Sequence, residues 1–364
     1  MNLYESLMSE VEKGLQGKNV TIPFLLGGLD REIDISKNMM ITIGGATGSA
    51  KSTFVSEQFI LNTLEWYFKQ TGTKIKLSII YFGMERKQYM QTAKWISRFI
   101  YMEEGVEISP KKIIGRSKET LTERELELVK RYAERLKEWE KDDTLICFEG
   151  SHNPTGISIW LDEFARRHGT VLERPEGTLT HRTYVPNHEN HIVLIITDHL
   201  GILAPEKVLG VKKQNIDKFS ESMRTARDLY GFSPIIVQQL NRSISDVNRL
   251  KMGDTLPKLS DFADTSSTSH DSDAVLALFD PWRVLGNDAT RDVCGYDLTK
   301  LRDKKGKKYY RTIHILKNSF GSDGITIPCA FHPVYGIMKQ MPAPAENMQD
   351  TDYEKIVNGT YFLY

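Results

Sequence analysis

Residues Gly45-Ala46-Thr47-Gly48-Ser49-Ala50-Lys51-Ser52-Thr53 follow an apolar run, MMITIG (39–44), and precede a stretch with helical apolar spacing. Small residues let successive backbone N–H groups turn inward around phosphate oxygens, and a helix N-terminus aims at the same anion. Lys51 is suited to the β- and γ-phosphates, and the Ser52 hydroxyl to Mg²⁺. The spacing is that of a phosphate-binding loop, G-x-x-x-x-G-K-[ST], with Ala50 standing where the pattern has glycine. A Cβ there opposes the positive φ that glycine takes easily. The expected ligands are ATP and Mg²⁺.

Such a loop needs a carboxylate on a neighbouring strand to hold the metal's water shell. HIVLIIT (191–197) is the most strand-like segment and runs into Asp198, at the carboxyl edge where α/β sheets place ligands. Asp198 is thus paired with Ser52 as the metal-site candidate. Hydrolysis also needs a base for the attacking water. Glu85 ends the strand KLSIIYFG (76–83) by way of Met84 and is the candidate; on spacing alone it reads equally well as an exposed glutamate beside Arg86.

The elements that must hold these groups alternate. Strands are expected at 39–44, 76–83, 144–148, 191–197, 233–238, 274–279 and 312–317, and helices at 51–69, 88–102, 122–141, 157–168 and 214–230. Thr122 with Glu125 is a capping-box signature. Apolar β-branched strands between long helices predict an α/β fold, a mostly parallel sheet covered by helices. Residues 2–16 form an isolated amphipathic helix with Leu3, Leu7, Val11 and Leu15 on one face. About 170–190 and 281–311 lack periodicity and are expected to be surface excursions, and the tail after Pro342 to be peripheral. The organisation expected is a helix (1–20), an ATPase domain (21–342) and a tail (343–364).

Lys+Arg and Asp+Glu both number 48 in 364 residues, which excludes a chain-wide basic field. Any nucleic-acid contact must come from local basic groups or from a ring of subunits. Cys147, Cys294 and Cys329 are far apart and have no zinc-ligand spacing, which fits a reducing cytosol. His168, His181, His188 and His191 gather around 170–190, but their spacings fit no standard metal site. No apolar run reaches the roughly 18 residues of a membrane span, and the N-terminus has no secretory signal pattern.

Several stretches resemble the bacterial replicative helicases, the DnaB-like branch of the RecA-fold ATPases. IYFGMER (80–86) resembles the strand that carries that family's catalytic glutamate, which falls on Glu85. IVQQLNRSI (236–244) resembles its sensor strand, with Gln239 as the γ-phosphate sensor. LSDFADTSSTSHDSDAVLALF (259–279) resembles its single-stranded-DNA loop and following strand. ILKNSFGSDGITI (315–327) resembles the hairpin that reaches a neighbouring subunit's ATP site, with Lys317 as one of its two cations. The resemblance spans about residues 18–340. It implies a RecA-like core with a C-terminal β-hairpin, catalytic roles for Glu85, Lys51, Gln239 and Lys317, and DNA contacts at Arg242, Arg249, Lys251 and Asp264. It implies self-assembly into a ring, as a hexamer, on single-stranded DNA, with a primase or loader as a further partner and no membrane. The implied setting is the cytoplasm of a bacterium or of a phage-infected host.

Three departures bear on that expectation. Ser319 stands where the family has its arginine finger, leaving Lys317, Arg302 or Arg311 as substitutes. Ala263 replaces an arginine of the DNA loop. The family's helical N-terminal domain is absent from this sequence, and the 2–16 helix falls where the family has a subunit-docking linker helix. Two further readings stay open: a RecA-type ATPase that uses ATP binding as an assembly or loading switch, and a strand-exchange recombinase.

Overall fold

The computed structural model describes residues 2–70, 75–173, 182–206, 212–241, 244, 249, 252–286 and 289–363, without the side chains of 212 and 263–266. Its strands are β1 (Ile41–Gly45), β2 (Lys76–Gly83), β3 (Leu145–Glu149), β4 (Gly169–Glu173), β5 (Arg182–Pro186), β6 (His191–Asp198), β7 (Ser233–Gln239), β8 (Ala274–Phe279), β9 (Tyr310–Asn318), β10 (Ile325–His332) and β11 (Ile337–Gln340). Nine form one sheet in the order β11-β10-β9-β8-β1-β7-β6-β2-β3. From β8 to β3 all pairs are parallel, and β9, β10 and β11 add an antiparallel margin.

Alternation along the strands divides the core into two layers. Leu77 and Ile79 face the phosphate-loop helix and the Gln88–Glu104 helix, meeting Phe54, Phe59, Trp95 and Phe99. Ile80 and Phe82 face the Pro154–His168 and Lys212–Tyr230 helices, meeting Leu161, Phe164, Phe219 and Met223. The phosphate-loop helix runs Lys51–Val55, takes a π turn over Ser56–Leu61 and continues as Asn62–Lys69. Within that turn Glu57 is buried against Arg98 at 3.0 Å and accepts the Met338 amide of β11, so one carboxylate ties three elements together. Thr122 caps the Glu123–Trp139 helix reciprocally with Glu125.

Three segments differ from the sequence reading. Residues 169–173 and 182–186 lie off the main sheet, as a surface excursion does, but are regular, forming the antiparallel pair β4–β5 with Tyr184 against Tyr230; residues 174–181 lie outside the described residues. Segment 281–311 is not a surface excursion: Trp282, Tyr296, Leu298 and Leu301 are buried. The tail is not peripheral, because its Asp350–Asn358 helix and the turn after it sink Tyr353, Ile356 and Phe362 into the same cluster. Isolated anchors supplied by turns carry no period, so pattern reading passes over them. The Leu3–Leu15 helix buries none of its residues, and Leu3, Leu7 and Leu15 stand exposed. No helix among the described residues is long and apolar enough to cross a membrane.

Three buried histidines give the fold an acid limit. Burial holds His191 down to about 3, and His314 and His332 down to about 4. Each folded value lies below the unfolded value of about 6.5, so each stabilises the fold fully above that pH and loses it as pH falls toward the folded value. Between pH 7 and 5 each is expected to remove about 2 kcal/mol. Urea denaturation at the two pH values checks this, and His314→Gln is expected to shallow the slope; an unchanged midpoint would refute the assignment.

Candidate nucleotide site

β1, β2, β6 and β7 run parallel and end together. Gly45 pairs with Gln239, and Gly83 with Asp198, so the loop, both acidic candidates and the glutamine share one edge of the sheet. The arrangement follows from chain order, since each strand enters from the opposite edge after a helical crossover.

Gly48 has φ +78°, and a Cβ there would strike the Arg283 guanidinium; at Gly45 a Cβ would meet the Leu278 carbonyl at 2.8 Å. Lys51 is buried and donates to the carbonyls of Gly45 at 2.7 Å and Ala46 at 3.0 Å. Burial pushes its ammonium down to about 8 against the attraction of Asp198 and Glu85. Ser49 Oγ is buried and has no hydrogen-bond partner among the described residues. An unpaired hydroxyl beside a glycine-shaped cradle and a lysine fits triphosphate oxygens, which supply acceptors.

Ala50 takes the glycine conformation in spite of its Cβ, at φ +77°. That conformation costs an L-residue about 1–2 kcal/mol. Ala50→Gly is therefore expected to stabilise the protein by about 0.5–1 kcal/mol after the extra unfolded-state entropy of glycine. Chemical denaturation measures it, and a loss of stability would show that the loop imposes no strain.

The acidic candidates flank the loop. Ser52 Oγ donates to Asp198 Oδ1 at 3.0 Å, and Tyr81 OH to Asp198 Oδ2 at 3.4 Å. Burial raises the Asp198 carboxyl, while the Ser52 hydrogen bond, His199 and Lys51 oppose the rise. This hydroxyl–carboxylate pair is a donor set for an octahedral cation that keeps most of its water, which fits Mg²⁺. Met84 N donates to the Asp198 carbonyl at 3.0 Å, and Glu85, exposed, leaves the strand at that point. Its charge acts on both Asp198 and Lys51. Gln239 Nε2 donates to Thr47 Oγ1 at 3.2 Å, joining β7 to the loop. Thr53 follows Ser52 into the helix and touches the β10–β11 turn, where a Cβ on Gly336 would strike its methyl.

Lys317 lies elsewhere. It pairs with Val275 at the start of β8, whereas Gly45 pairs with Leu278 near the end of β8. Three residues at about 3.3 Å each separate these rows, and the Lys317 ammonium caps the carbonyls of His270 (2.9 Å) and Ser272 (2.6 Å). Lys317 therefore does not face the phosphate loop of its own chain. Ser319 and the exposed Phe320 follow it into the β9–β10 turn. Arg311 is buried in an ion pair with Asp280 at 3.1 Å beside the chain's own loop, and Arg302 is exposed.

Of the DNA-contact candidates, Arg242 and Lys251 lie outside the described residues. Asp264 belongs to the Leu259–Thr265 turn, and its side chain is not among those described. Arg249 is engaged within its own loop, with Asp261 at 2.5 Å and the Asp254 carbonyl at 2.9 Å. Sequence reasoning passes over Arg283 and Lys94. Arg283 follows β8 in a four-residue helical turn, and no spacing distinguishes it. Lys94 lies beyond Glu85 in a polar stretch with no motif of its own.

The fold and this edge have the arrangement of a RecA-like core carrying a phosphate-binding loop. No family model matches the sequence, and no curated protein sequence does. Solved structures do match. One, an isolated ATPase domain, aligns over 94% of this chain and 99% of its own, at a TM-score of 0.65 and 16% identity. A DnaB-like replicative helicase, described with its interactions with primase, aligns over 94% of this chain and 69% of its own, at 0.64 and 16%. The fold is thus that of the ATPase domains of DnaB-like helicases.

Proposed function

We propose that the chain is an ATP-driven translocase of DnaB type that assembles with copies of itself, as a hexameric ring, on single-stranded DNA. The carrying observation is the division of the machinery between two edges of one sheet. The phosphate loop, Ser52, Asp198, Glu85 and Gln239 occupy one edge, and Lys317 stands at the other, turned from its own site. A group at Lys317 reaches a phosphate only across a subunit interface. The exposed apolar face of the Leu3–Leu15 helix supports the same assembly.

Mg²⁺, held through Ser52 and Asp198, would neutralise charge on the β- and γ-phosphates. Lys51 leaves the Gly45 and Ala46 carbonyls for phosphate oxygens. Glu85 accepts the proton of the attacking water. Gln239 reports the γ-phosphate along β7, where the neighbouring Gln238 accepts from Thr268 Oγ1 at 2.7 Å. Thr268 lies in the Ser266–Asp271 helix, whose end is capped by Lys317, so the sensor strand and the outward lysine share one short helix. Replication is the proposed setting, with a primase or loader as a further partner, in line with the primase interactions of the similar helicase.

The test is ATP turnover with and without single-stranded DNA, with Lys51→Ala as the null control. Stimulation by DNA of tenfold or more is the expected result. Turnover indifferent to DNA favours the second reading, a RecA-type ATPase switch, which the neutral Ser319 specifically favours because it cannot act as a finger.

A further inference from the structure

Between the phosphate-loop helix, the Gln88–Glu104 helix and the β10–β11 turn lies a cavity of about 100 Å³. Ser52, Thr53, Ser56, Gln91, Lys94 and Tyr335 are among its lining residues. Gln91 is fixed there by its hydrogen bond to Ser56 Oγ at 3.0 Å. The other cation lining it, Arg98, is neutralised by buried Glu57. Lys94 is half-buried and has no hydrogen-bond or ion-pair partner among the described residues. Burial and Arg86 hold its ammonium down to about 8, against Asp198 and Glu85, so it lies within the field of both site carboxylates. A lysine withdrawn from water without a partner is poised for an anion that arrives later.

Other described cations around the loop are placed differently. Lys51 serves the loop from within, and Arg283 stands over Gly48. Arg311 is locked to Asp280. Arg86 lines a separate hollow with Tyr81, Gln88 and Thr92. Ser319 carries no charge. We propose that Lys94 is a cation of its own chain's ATP site, approaching the γ-phosphate from the Gln88–Glu104 helix and supplying in cis the charge that Ser319 cannot supply across an interface. The inference rests on the hydrolysis reading above. In that reaction the water oxygen bonds to Pγ and its proton passes to Glu85. The bond from Pγ to the bridging oxygen breaks, and its electron pair leaves with ADP. Lys94 offsets the charge on the γ-oxygens as this happens.

The experiment compares Lys94→Met and Lys94→Arg with the unsubstituted protein for fluorescent ATP-analogue affinity, saturated turnover and melting temperature. Lys94→Met is expected to lower kcat at least tenfold with affinity within threefold, and Lys94→Arg to recover most of the loss; recovery by a charged but differently shaped side chain separates the charge from packing. Mixing Lys94→Met with Glu85→Gln chains is the second measurement. Both groups belong to one chain's site, so no mixed assembly contains a complete site, and activity stays at the level of the separate variants. Unchanged kcat in Lys94→Met, a loss confined to affinity, no recovery in Lys94→Arg, or regained activity on mixing would each overturn the proposal. If the unsubstituted protein hydrolyses no ATP, or Lys51→Ala keeps full turnover, it is the hydrolysis reading that fails. A normal Lys94→Met beside an inactive Lys51→Ala sinks this inference alone.

Discussion

Glu85→Gln is expected to leave ATP affinity within about threefold and to slow turnover at least a hundredfold, the usual range for loss of a positioned base being about 10²–10⁴. The amide keeps the size of the carboxylate and still orients a water, but it cannot take the water's proton. The geometry makes the effect separable from metal binding. Glu85 is exposed and has no hydrogen bond to Ser52, whereas Asp198 is buried and holds Ser52 at 3.0 Å. Asp198→Asn is accordingly expected to weaken Mg²⁺-dependent ATP binding as well as turnover. Two measurements separate the roles: analogue binding against Mg²⁺ concentration, and saturated turnover. A Glu85→Gln protein that hydrolyses ATP at the native rate would place the base elsewhere on the sheet edge.

The parts of this site legible in the sequence are those that one strand and its next few residues fix. The phosphate loop, Asp198 and Glu85 each sit at the end of a β-branched run, and in a parallel sheet all such ends meet at one edge. Gln239 is legible through resemblance, and it lies against Thr47. What is not legible depends on contacts between distant segments. Arg283 reaches Gly48 because β8 lies beside β1, and Lys94 shares a cavity with Ser52 because two helices pack on the same face. Neither adjacency leaves a local pattern. The tail escapes pattern reading for a related reason. A nine-residue helix with two buried side chains, Tyr353 and Ile356, has too few apolar positions to show which face is covered. Its partners, Tyr101, Tyr296 and Trp282, come from three separate stretches of chain.

The outward-turned lysine supports the second large effect. Lys317→Ala is expected to reduce ATP turnover at least about tenfold while leaving nucleotide affinity within a few-fold, the pattern of a group acting mainly on the transition state. Its row on β8 is three residues from the row of its own phosphate loop, so its effect must be exerted on another chain. One structural reading competes, because the ammonium caps the His270 and Ser272 carbonyls and its loss would loosen the Ser266–Asp271 helix. Subunit mixing separates the two. A Lys317→Ala chain brings an intact Glu85, and a Glu85→Gln chain brings an intact Lys317. Where the first offers its nucleotide site to the second, every group is present, and mixed assemblies are expected to regain part of the native turnover. A loosened helix would stay loosened in its own chain, and mixing would restore nothing. Full activity of Lys317→Ala, or failure of the mixture to recover, would remove the trans-acting lysine from the mechanism. The switch-type ATPase would then be the better account of Ser319.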